Sequence, residues 1–325
     1  MRKIRWGVLG TAKIAQNHTI PGMQLAQNCE LYAVAGRSME KAEQFKAEFG
    51  FEKAYGSYQE LLADPLVEAV YIPLPNELHM EWTIQALKAH KHVLCEKPIA
   101  PTAAQAAEMI RTADGNDVHL MEAFAYLHSP FVSAVKAEVD SGVIGDVVYV
   151  ESAFVTATPD AQNIRMRRET YGGAMYDLGC YNTSLALWML GKEPTDVQAT
   201  ARFTQQGIDI YSSSLLTFEG GASAALECGM VLAKSSGIRI DRFQIHGTKG
   251  CIQSATQFNQ WGEVSYTVCA NGTTQLKTVF APQNYSLEIE QMGRCIDEGE
   301  QPHVSHEFTM MNARTMDRIL AQIGY

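Results

Sequence analysis

The chain has 325 residues, 46% of them hydrophobic and 19% charged, so it is long enough for two domains and too apolar to be disordered. Its formal net charge of -10 argues against nucleic acid or an anionic membrane as a partner, because both require a basic face. The odd number of cysteines, 7 without a C-x-x-C pair, argues against a disulfide framework or a zinc cluster and favours a reducing compartment.

Residues 1–122 alternate short β-rich runs with helical patterns. The predicted strands are residues 4–9, 31–35, 69–72, 92–95 and 119–122. The predicted helices between them are residues 39–49, 77–89 and 102–112. This alternation is typical of a parallel sheet covered by helices on both faces. The apolar run at the N-terminus is too short for a signal peptide and no other run could span a membrane, which predicts a cytoplasmic protein.

The segment GTAKIA, residues 10–15, follows the first strand and can begin a helix. A Rossmann fold places the pyrophosphate of a dinucleotide at this position, on a glycine turn and a helix N-terminus. Only the first glycine of the G-x-G-x-x-G pattern is present, with alanine at the other two positions. Taken alone, the segment fits a cofactor loop and an ordinary strand-to-helix turn equally well.

Arg37 and Ser38 stand after the second strand, where NAD-binding Rossmann folds carry an acid for the ribose 2′-hydroxyl. An arginine can bind a phosphate bidentately and a serine can donate to it. The pair therefore predicts NADP in preference to NAD. The alternative is a surface arginine before a helix that Ser38 caps.

The second half of the chain is rich in strands. Two helices are predicted at residues 130–141 and 173–190, and a final helix at 307–322. The predicted strands are residues 147–156, 197–203, 212–218, 222–229, 238–247 and 263–269. Strands without intervening helices favour an antiparallel sheet. The predicted domains are residues 1–122 and 123–325, with the last helix free to pack back on the first domain.

Three stretches carry a family resemblance: IPLPNELH at residues 72–79, CEKP at 95–98 and GGAMYDLGCY at 172–181. In this order and spacing, the chain resembles the glucose–fructose oxidoreductase, inositol dehydrogenase and rhizopine-catabolism (Gfo/Idh/MocA) family. It is most similar to the branch of dihydrodiol dehydrogenases and NADP-dependent D-xylose dehydrogenases. The resemblance implies an α/β protein with an N-terminal Rossmann domain and a C-terminal α/β domain on a large, mostly antiparallel open sheet.

The resemblance also implies a nicotinamide cofactor, a sugar or polyol substrate, and a homodimer or homotetramer assembled through the open sheet. No metal site is predicted. The residues expected at the cofactor are Gly10, Thr11, Ala12, Lys13, Ile14, Arg37, Ser38, Pro73, Leu74, Asn76, His79, Glu96 and Lys97. The residues expected at the substrate are Tyr126, Arg165, Asp177 and Tyr181.

The catalytic residues that the resemblance implies are Lys97, Tyr181 and Asp177. Lys97 would stabilise charge on the reacting oxygen, and Tyr181 would act as the acid/base once a nearby cation lowers its pKa. Asp177 stands four residues before Tyr181 in a helical pattern, so both share one face. The alternatives are a surface lysine and a half-buried core tyrosine.

Two features leave the substrate open. Tyr126 is followed by Leu127 and His128, where related branches carry an arginine that contacts substrate, and Arg165 fits a surface arginine equally well. The leading prediction is an NADP-dependent oxidoreductase of sugars or polyols. The alternatives are an enzyme of the same fold that cleaves glycosides with NAD(P) as a transient oxidant, and a sensor that has lost the chemistry.

Overall fold

The computed structural model describes residues 2–255 and 258–325. The chain folds as two compact units, each built from two chain segments. The first unit contains the chain up to His128 together with Gln283–Thr309, and the second contains Ser129–Pro282 and Met310–Tyr325. The chain thus leaves the first unit, builds most of the second, and returns to the first before it ends in the second.

The strands in chain order are β1 (Ile4–Leu9), β2 (Cys29–Ala35), β3 (Lys53–Tyr55), β4 (Ala69–Ile72), β5 (His92–Glu96), β6 (Leu120–Ala123), β7 (Val147–Ala157), β8 (Pro194–Phe203), β9 (Asp209–Phe218), β10 (Ser223–Leu232), β11 (Ile240–Gly247), β12 (Gly250–Ser254), β13 (Gly262–Ala270) and β14 (Thr273–Ala281). The α-helices are α1 (Ile20–Leu25), α2 (Met39–Phe49), α3 (Tyr58–Ala63), α4 (Asn76–Lys88), α5 (Ala103–Asn116), α6 (Pro130–Asp140), α7 (Cys180–Leu190), α8 (Asn284–Glu298) and α9 (His306–Ile323). Two π-helical turns, Ala15–Thr19 and Met175–Gly179, lead directly into α1 and α7.

The first unit is built on a six-stranded parallel sheet with the strand order β3-β2-β1-β4-β5-β6. This is the strand order of a Rossmann fold, in which the direction of winding reverses between β1 and β4. Every residue of β4 and β6 is buried, as expected for parallel strands covered on both faces. The carboxyl ends of β1, β4 and β5 therefore form the edge where such sheets bind ligands.

The second unit is built on an eight-stranded sheet with the order β14-β13-β12-β11-β7-β10-β9-β8. Neighbouring strands of this sheet are antiparallel except for β7 and β10, which pair in parallel. The chain between these two strands is long enough for the crossover that a parallel pair requires. Alternate residues such as Val150, Leu226 and Phe243 are at most 4% exposed, and helices α6 and α7 pack against this sheet. The residues between them point to the opposite face, which is more exposed.

The predicted fold class is confirmed, and the strands 4–9 and 69–72 and the helix 39–49 have the bounds that the sequence predicts. Other predicted elements differ by a few residues at their ends. The predicted helix 173–190 is a π-helical turn followed by α7. The sequence patterns do not predict β3, α3, β12, β14 or α8. Helix α8 belongs to the first unit, although it lies far from the rest of that unit in sequence.

Candidate active site

The turn after β1 lies at the carboxyl edge of the parallel sheet. Gly10 has a φ of +115°, and its amide donates a 2.8 Å hydrogen bond to the carbonyl oxygen of Ala35. This φ favours glycine, and a β carbon at this position would also press on the Cδ2 atom of Leu74 at 3.0 Å. Residues 11–14 then lead into the first helix, with Lys13 exposed. This turn and helix start fit the pyrophosphate of a dinucleotide.

Arg37 and Ser38 lie just beyond the end of β2. The Ser38 hydroxyl accepts a 3.5 Å hydrogen bond from the amide of Lys41 and so caps α2. Arg37 is exposed, and its charge opposes the rise that burial causes in the pKa of the Tyr58 phenol. The Tyr58 hydroxyl lies 3.6 Å from the β-carbon position of Gly10. Arginine, phenol and glycine turn therefore share one edge of the sheet, and no sequence pattern predicts that Tyr58 belongs there.

The loop after β4 contains Pro73 and Leu74, which are buried, and leads to Asn76, the first residue of α4. His79 follows on α4 and has no exposed surface. Its Nδ1 lies 2.9 Å from the carbonyl oxygen of Pro98, and its Nε2 lies 2.7 Å from that of Leu74. His79 therefore connects the loop after β4 with the loop after β5, and it would contribute to a cofactor site by positioning these two loops.

Lys97 follows β5 directly and is partly buried. Glu96, the last residue of β5, accepts a 2.5 Å hydrogen bond from the Tyr71 hydroxyl, which accepts one of 2.9 Å from the Thr19 hydroxyl. Burial and the Glu96 carboxylate raise the pKa of Tyr71 well above its usual range. Lys97 thus stands next to a buried polar chain that runs from the π-helical turn Ala15–Thr19 to the end of β5.

Tyr126 lies in a 3₁₀ turn, Ala125–His128, that follows β6. Its ring has no exposed surface and meets the ring of Phe124 edge to face, with centroids 6.0 Å apart. His128 ends the same turn, and burial lowers the pKa of its imidazole well below the usual range. In the first unit, both rings are thus part of the interior packing.

In the second unit, Arg165 and Asp177 form an ion pair, with Nε 2.7 Å from Oδ2. Arg165 lies in a 3₁₀ turn, Ile164–Met166, whose start is capped by the side chain of Asn163. Asp177 lies in the π-helical turn before α7, and such turns occur often at functional sites. The structure therefore brings together two of the predicted substrate residues. The Arg165 guanidinium and the Asp177 carboxylate are each other's charged partner.

The two glycines before α7 are explained by close backbone contacts. A β carbon on Gly172 would lie 2.5 Å from the carbonyl oxygen of Arg165. Gly173 has a φ of +123°, and its β carbon would lie 1.9 Å from Oδ1 of Asp209. Asp209 is fully buried, and its Oδ2 accepts hydrogen bonds from the Met175 amide at 2.8 Å and the Ser212 hydroxyl at 3.1 Å. The aspartate thus fixes the start of the helix that carries Asp177 and Tyr181.

Tyr181 lies one turn into this helix and is 9% exposed. Its ring packs against Phe154 at 5.5 Å and Phe258 at 4.8 Å between centroids. The amide nitrogen of Asn259 donates a 3.4 Å hydrogen bond to its hydroxyl. Phe258 and Asn259 belong to the connection between β12 and β13. No local pattern could have identified them as neighbours of Tyr181.

Across residues 2–255 and 258–325, no group of three or more His, Cys, Asp or Glu side chains could hold a metal ion. Over the same ranges, no helix is both long and apolar enough to cross a membrane. All of the cysteines are free thiols, and most of them are buried.

Two family models match the chain over most of its length. The model described as "Oxidoreductase family, NAD-binding Rossmann fold" (GFO_IDH_MocA) matches residues 4–124. The model described as "GFO/IDH/MocA C-terminal domain" matches residues 132–253. The first covers the parallel sheet and the second covers α6, α7 and strands β7 to β11, so both units contribute to the match.

Named proteins are similar to nearly the whole chain. A D-xylose 1-dehydrogenase (NADP(+)) from Haloferax volcanii is 35% identical over 97% of this chain and 95% of its own. A trans-1,2-dihydrobenzene-1,2-diol dehydrogenase from Xenopus tropicalis is 31% identical over 98% of both chains. The 3-ketoreductase KijD10 from Actinomadura kijaniata, solved with NADP and TDP-benzene, has a TM-score of 0.92 and 28% identity over 99% of this chain and 98% of its own. Variants of KijD10 with one tyrosine or one lysine replaced have also been solved.

Proposed function

The chain belongs to the Gfo/Idh/MocA family of oxidoreductases, and we propose that it interconverts an alcohol or hemiacetal group of a sugar or polyol with the corresponding carbonyl, using NADP. The observation that carries the proposal is the carboxyl edge of the parallel sheet. There the glycine turn after β1, the arginine after β2 and the lysine after β5 stand at the ends of three strands of this sheet. NADP, when bound, supplies or accepts the hydride, and the side chains orient the substrate and move its proton.

The proposed roles follow the chemistry of each group. Lys97 stabilises the negative charge that develops on the reacting oxygen. Tyr181 takes or returns the hydroxyl proton, with its anion stabilised by the ammonium of Lys97. Asp177 and Arg165 bind substrate hydroxyls, and their ion pair fixes both side chains before substrate arrives. Tyr126 would act from the interior, because its ring is buried in the first unit.

The test is a panel of aldoses, cyclitols, a trans-dihydrodiol and D-xylose with NADP+, followed by the absorbance of NADPH. Keto sugars with NADPH test the reverse direction. We expect stoichiometric NADPH formation with at least one sugar or polyol. Hydrolysis of a glycoside without net NADPH would instead support the glycoside-cleaving alternative, and binding of sugar and NADP without turnover would support a sensor.

We expect the kcat/KM ratio of NADP to NAD to fall by about 100-fold in Arg37→Asp. The change removes a charge-assisted contact to the 2′-phosphate, which contributes about 1.5–3 kcal/mol, and adds repulsion. Arg111→Asp is the matched control, because Arg111 is an exposed arginine on α5 with the same change of charge. A wild type that prefers NAD, or an unchanged ratio in Arg37→Asp, would contradict the NADP assignment.

We also propose that the open face of the large sheet is buried in a homodimer or homotetramer. This face presents Leu276 at 72%, Phe280 at 69% and Leu215 at 44% exposure, and such apolar surface on a sheet invites association. We expect sedimentation at micromolar concentration to give a multiple of 35.9 kDa. A stable 35.9 kDa species in the wild type would contradict this assembly. So would an oligomer of unchanged mass in the double variant that carries both Leu276→Lys and Phe280→Lys.

The cellular location that we propose is the cytoplasm. The cysteines are free thiols, and none of those in the described residues is joined in a disulfide. Free thiols are typical of a reducing compartment. Fractionation of the native cells would test this location.

A further inference from the structure

The turn that carries Lys97 is fastened at the two residues that follow it. The carbonyl oxygen of Pro98 faces Nδ1 of His79 at 2.9 Å. The amide of Ile99 donates a 2.9 Å hydrogen bond to Oε1 of Glu122. A ring from α4 and a carboxyl group from β6 therefore hold the two sides of one peptide unit, Pro98–Ile99, and the orientation of the turn depends on both.

Glu122 is placed for this contact by the register of the parallel sheet. It pairs with Cys95 on β5, one residue before Glu96 and two before Lys97. Glu122 is only 1% exposed, so water cannot replace the hydrogen-bond partners that the protein provides. The Thr309 hydroxyl, from the start of α9, also interacts with this carboxyl group. A carboxyl group so enclosed on a packed strand has a fixed position.

We propose that Glu122 is a positioning residue for Lys97. It anchors the turn of residues 97–99 against β6, and its ionisation changes both the strength of that anchor and the field at the lysine ammonium. This inference rests on the proposed function in so far as Lys97 is taken to act on substrate. The contacts that carry it lie entirely within the first unit.

The charges around Glu122 fix the sign of the effect. Burial raises the pKa of Glu122 to about 7, and the charge of Glu96 adds to the rise. The Ile99 amide, the Thr309 hydroxyl and the Lys97 ammonium oppose it. Above this pH the carboxylate is anionic, binds the Ile99 amide more strongly and stabilises the ammonium of Lys97. Below it the acid is neutral, the anchor weakens and the field disappears.

Two other titratable groups lie nearby. His79 approaches from α4, and the charge of Lys97 adds to the burial that lowers the pKa of its imidazole. Glu288 approaches Glu96 from α8 and is fully buried, and its carboxyl oxygens receive no hydrogen bond within the described residues. Glu288→Gln is therefore the matched control, because it removes a second fully buried carboxyl group of the first unit, one that lies on α8.

The first experiment compares the pH dependence of kcat in wild type, Glu122→Gln and Glu288→Gln. We expect kcat of the wild type to rise through an inflection near pH 7 as Glu122 ionises. Glu122→Gln should lack the inflection and remain about 3–30-fold lower at pH 8–9, because the neutral amide keeps the Ile99 bond but not the charge. Glu288→Gln should retain the inflection. An inflection that persists in Glu122→Gln would overturn the proposal.

The second experiment needs no substrate. Lysine side chains are labelled by reductive ¹³C-methylation, and the signal of Lys97 is assigned by its loss in Lys97→Met. We expect this signal to shift with an inflection near pH 7 in wild type and not in Glu122→Gln, with the pKa of the amine lower by about one unit in the variant. Thermal melting of Glu122→Gln confirms that it is folded.

The two readouts separate the possible failures. A wild type that turns over no sugar or polyol, but whose Lys97 signal follows Glu122, would contradict the proposed function and leave the coupling intact. An active wild type whose Lys97 signal and kcat both ignore Glu122 would overturn the coupling alone. Equal effects of Glu122→Gln and Glu288→Gln on kcat at every pH would show that any buried carboxyl group suffices, which also overturns it.

Discussion

Lys97→Met is expected to lower kcat by about 10²–10⁴-fold, the span typical of losing a group that stabilises charge or supports proton transfer. Methionine has nearly the same length and retains the packing of the lysine stem, but it has no ammonium. NADP binding should change little, because the proposed phosphate contacts lie at the Gly10 turn and Arg37. Lys88→Met, at an exposed position on α4, is the control for loss of a lysine charge.

Tyr181→Phe should lower kcat by a similar factor for a related reason. A phenol has a pKa near 10 and cannot accept a proton near neutrality unless a cation stabilises its anion. Phenylalanine keeps the packing against Phe154 and Phe258 and loses the hydroxyl that Asn259 contacts. The fold should therefore lose only about 1 kcal/mol, so that a large fall in kcat reports chemistry.

The double variant decides whether the lysine and the tyrosine act as a unit. Groups that act together are strongly non-additive, so Lys97→Met with Tyr181→Phe should lose far less than the product of the single effects. Single-turnover hydride transfer measures the three variants, and the pH profile of Tyr181→Phe should lack the limb due to the phenol. Independent, multiplying effects or a nearly active Tyr181→Phe would make Asp177 or a bound water the better proton acceptor.

Gly173→Ala is expected to lower the free energy of unfolding by about 3–6 kcal/mol, through backbone strain, overpacking and a broken buried hydrogen bond. The new β carbon would lie 1.9 Å from Oδ1 of Asp209, so the aspartate must move away from the Met175 amide. Because that contact fixes the start of the helix carrying Asp177 and Tyr181, kcat should fall as well. Urea unfolding and steady-state kinetics of the same preparation measure both effects.

Gly221→Ala isolates the backbone contribution. Gly221 has a φ of +88°, and a β carbon there meets nothing within 4 Å. The control should therefore lose about 1 kcal/mol, the usual cost of an alanine at positive φ, and keep its activity. If the two substitutions destabilise the protein equally, the contact with Asp209 is unimportant and Gly173 serves only its φ.

The sequence predicts those elements whose pattern is set by their own burial. The strand 69–72 is a continuous apolar run, and the strand 4–9 is interrupted by only one charged residue, Arg5, because parallel strands are covered on both faces. By contrast, β14 (Thr273–Ala281) is an edge strand with mostly exposed residues, and exposed residues of either kind leave no burial pattern in the sequence. The helix α8 contains Gly293, whose hydrogen faces Asn28 so closely that a β carbon would lie 2.3 Å from its Nδ2. That contact is tertiary, and it lowers the helical signal of the segment.

The site divides in the same way. Lys97, Arg37 and Gly10 are predicted because they stand at strand ends in a known order. Asp209 and Asn259 are not, since they reach the helix of Tyr181 from strands and loops distant in sequence. The importance of Glu122 is hidden for a further reason: one carboxyl group in a buried strand has no local pattern, and its role appears only with the Ile99 contact.

The return of the chain to the first unit has a consequence during synthesis. Helix α8 packs against α1 and β2, and its Tyr285, Ile289 and Met292 are buried there. When a ribosome has completed the six parallel strands, about 180 residues remain before Thr309 is made, which takes about 10–40 s at about 5–20 residues per second. Throughout this time the nascent sheet lacks one of its covering helices and exposes apolar surface. The first unit therefore cannot finish folding until most of the second unit has also been made.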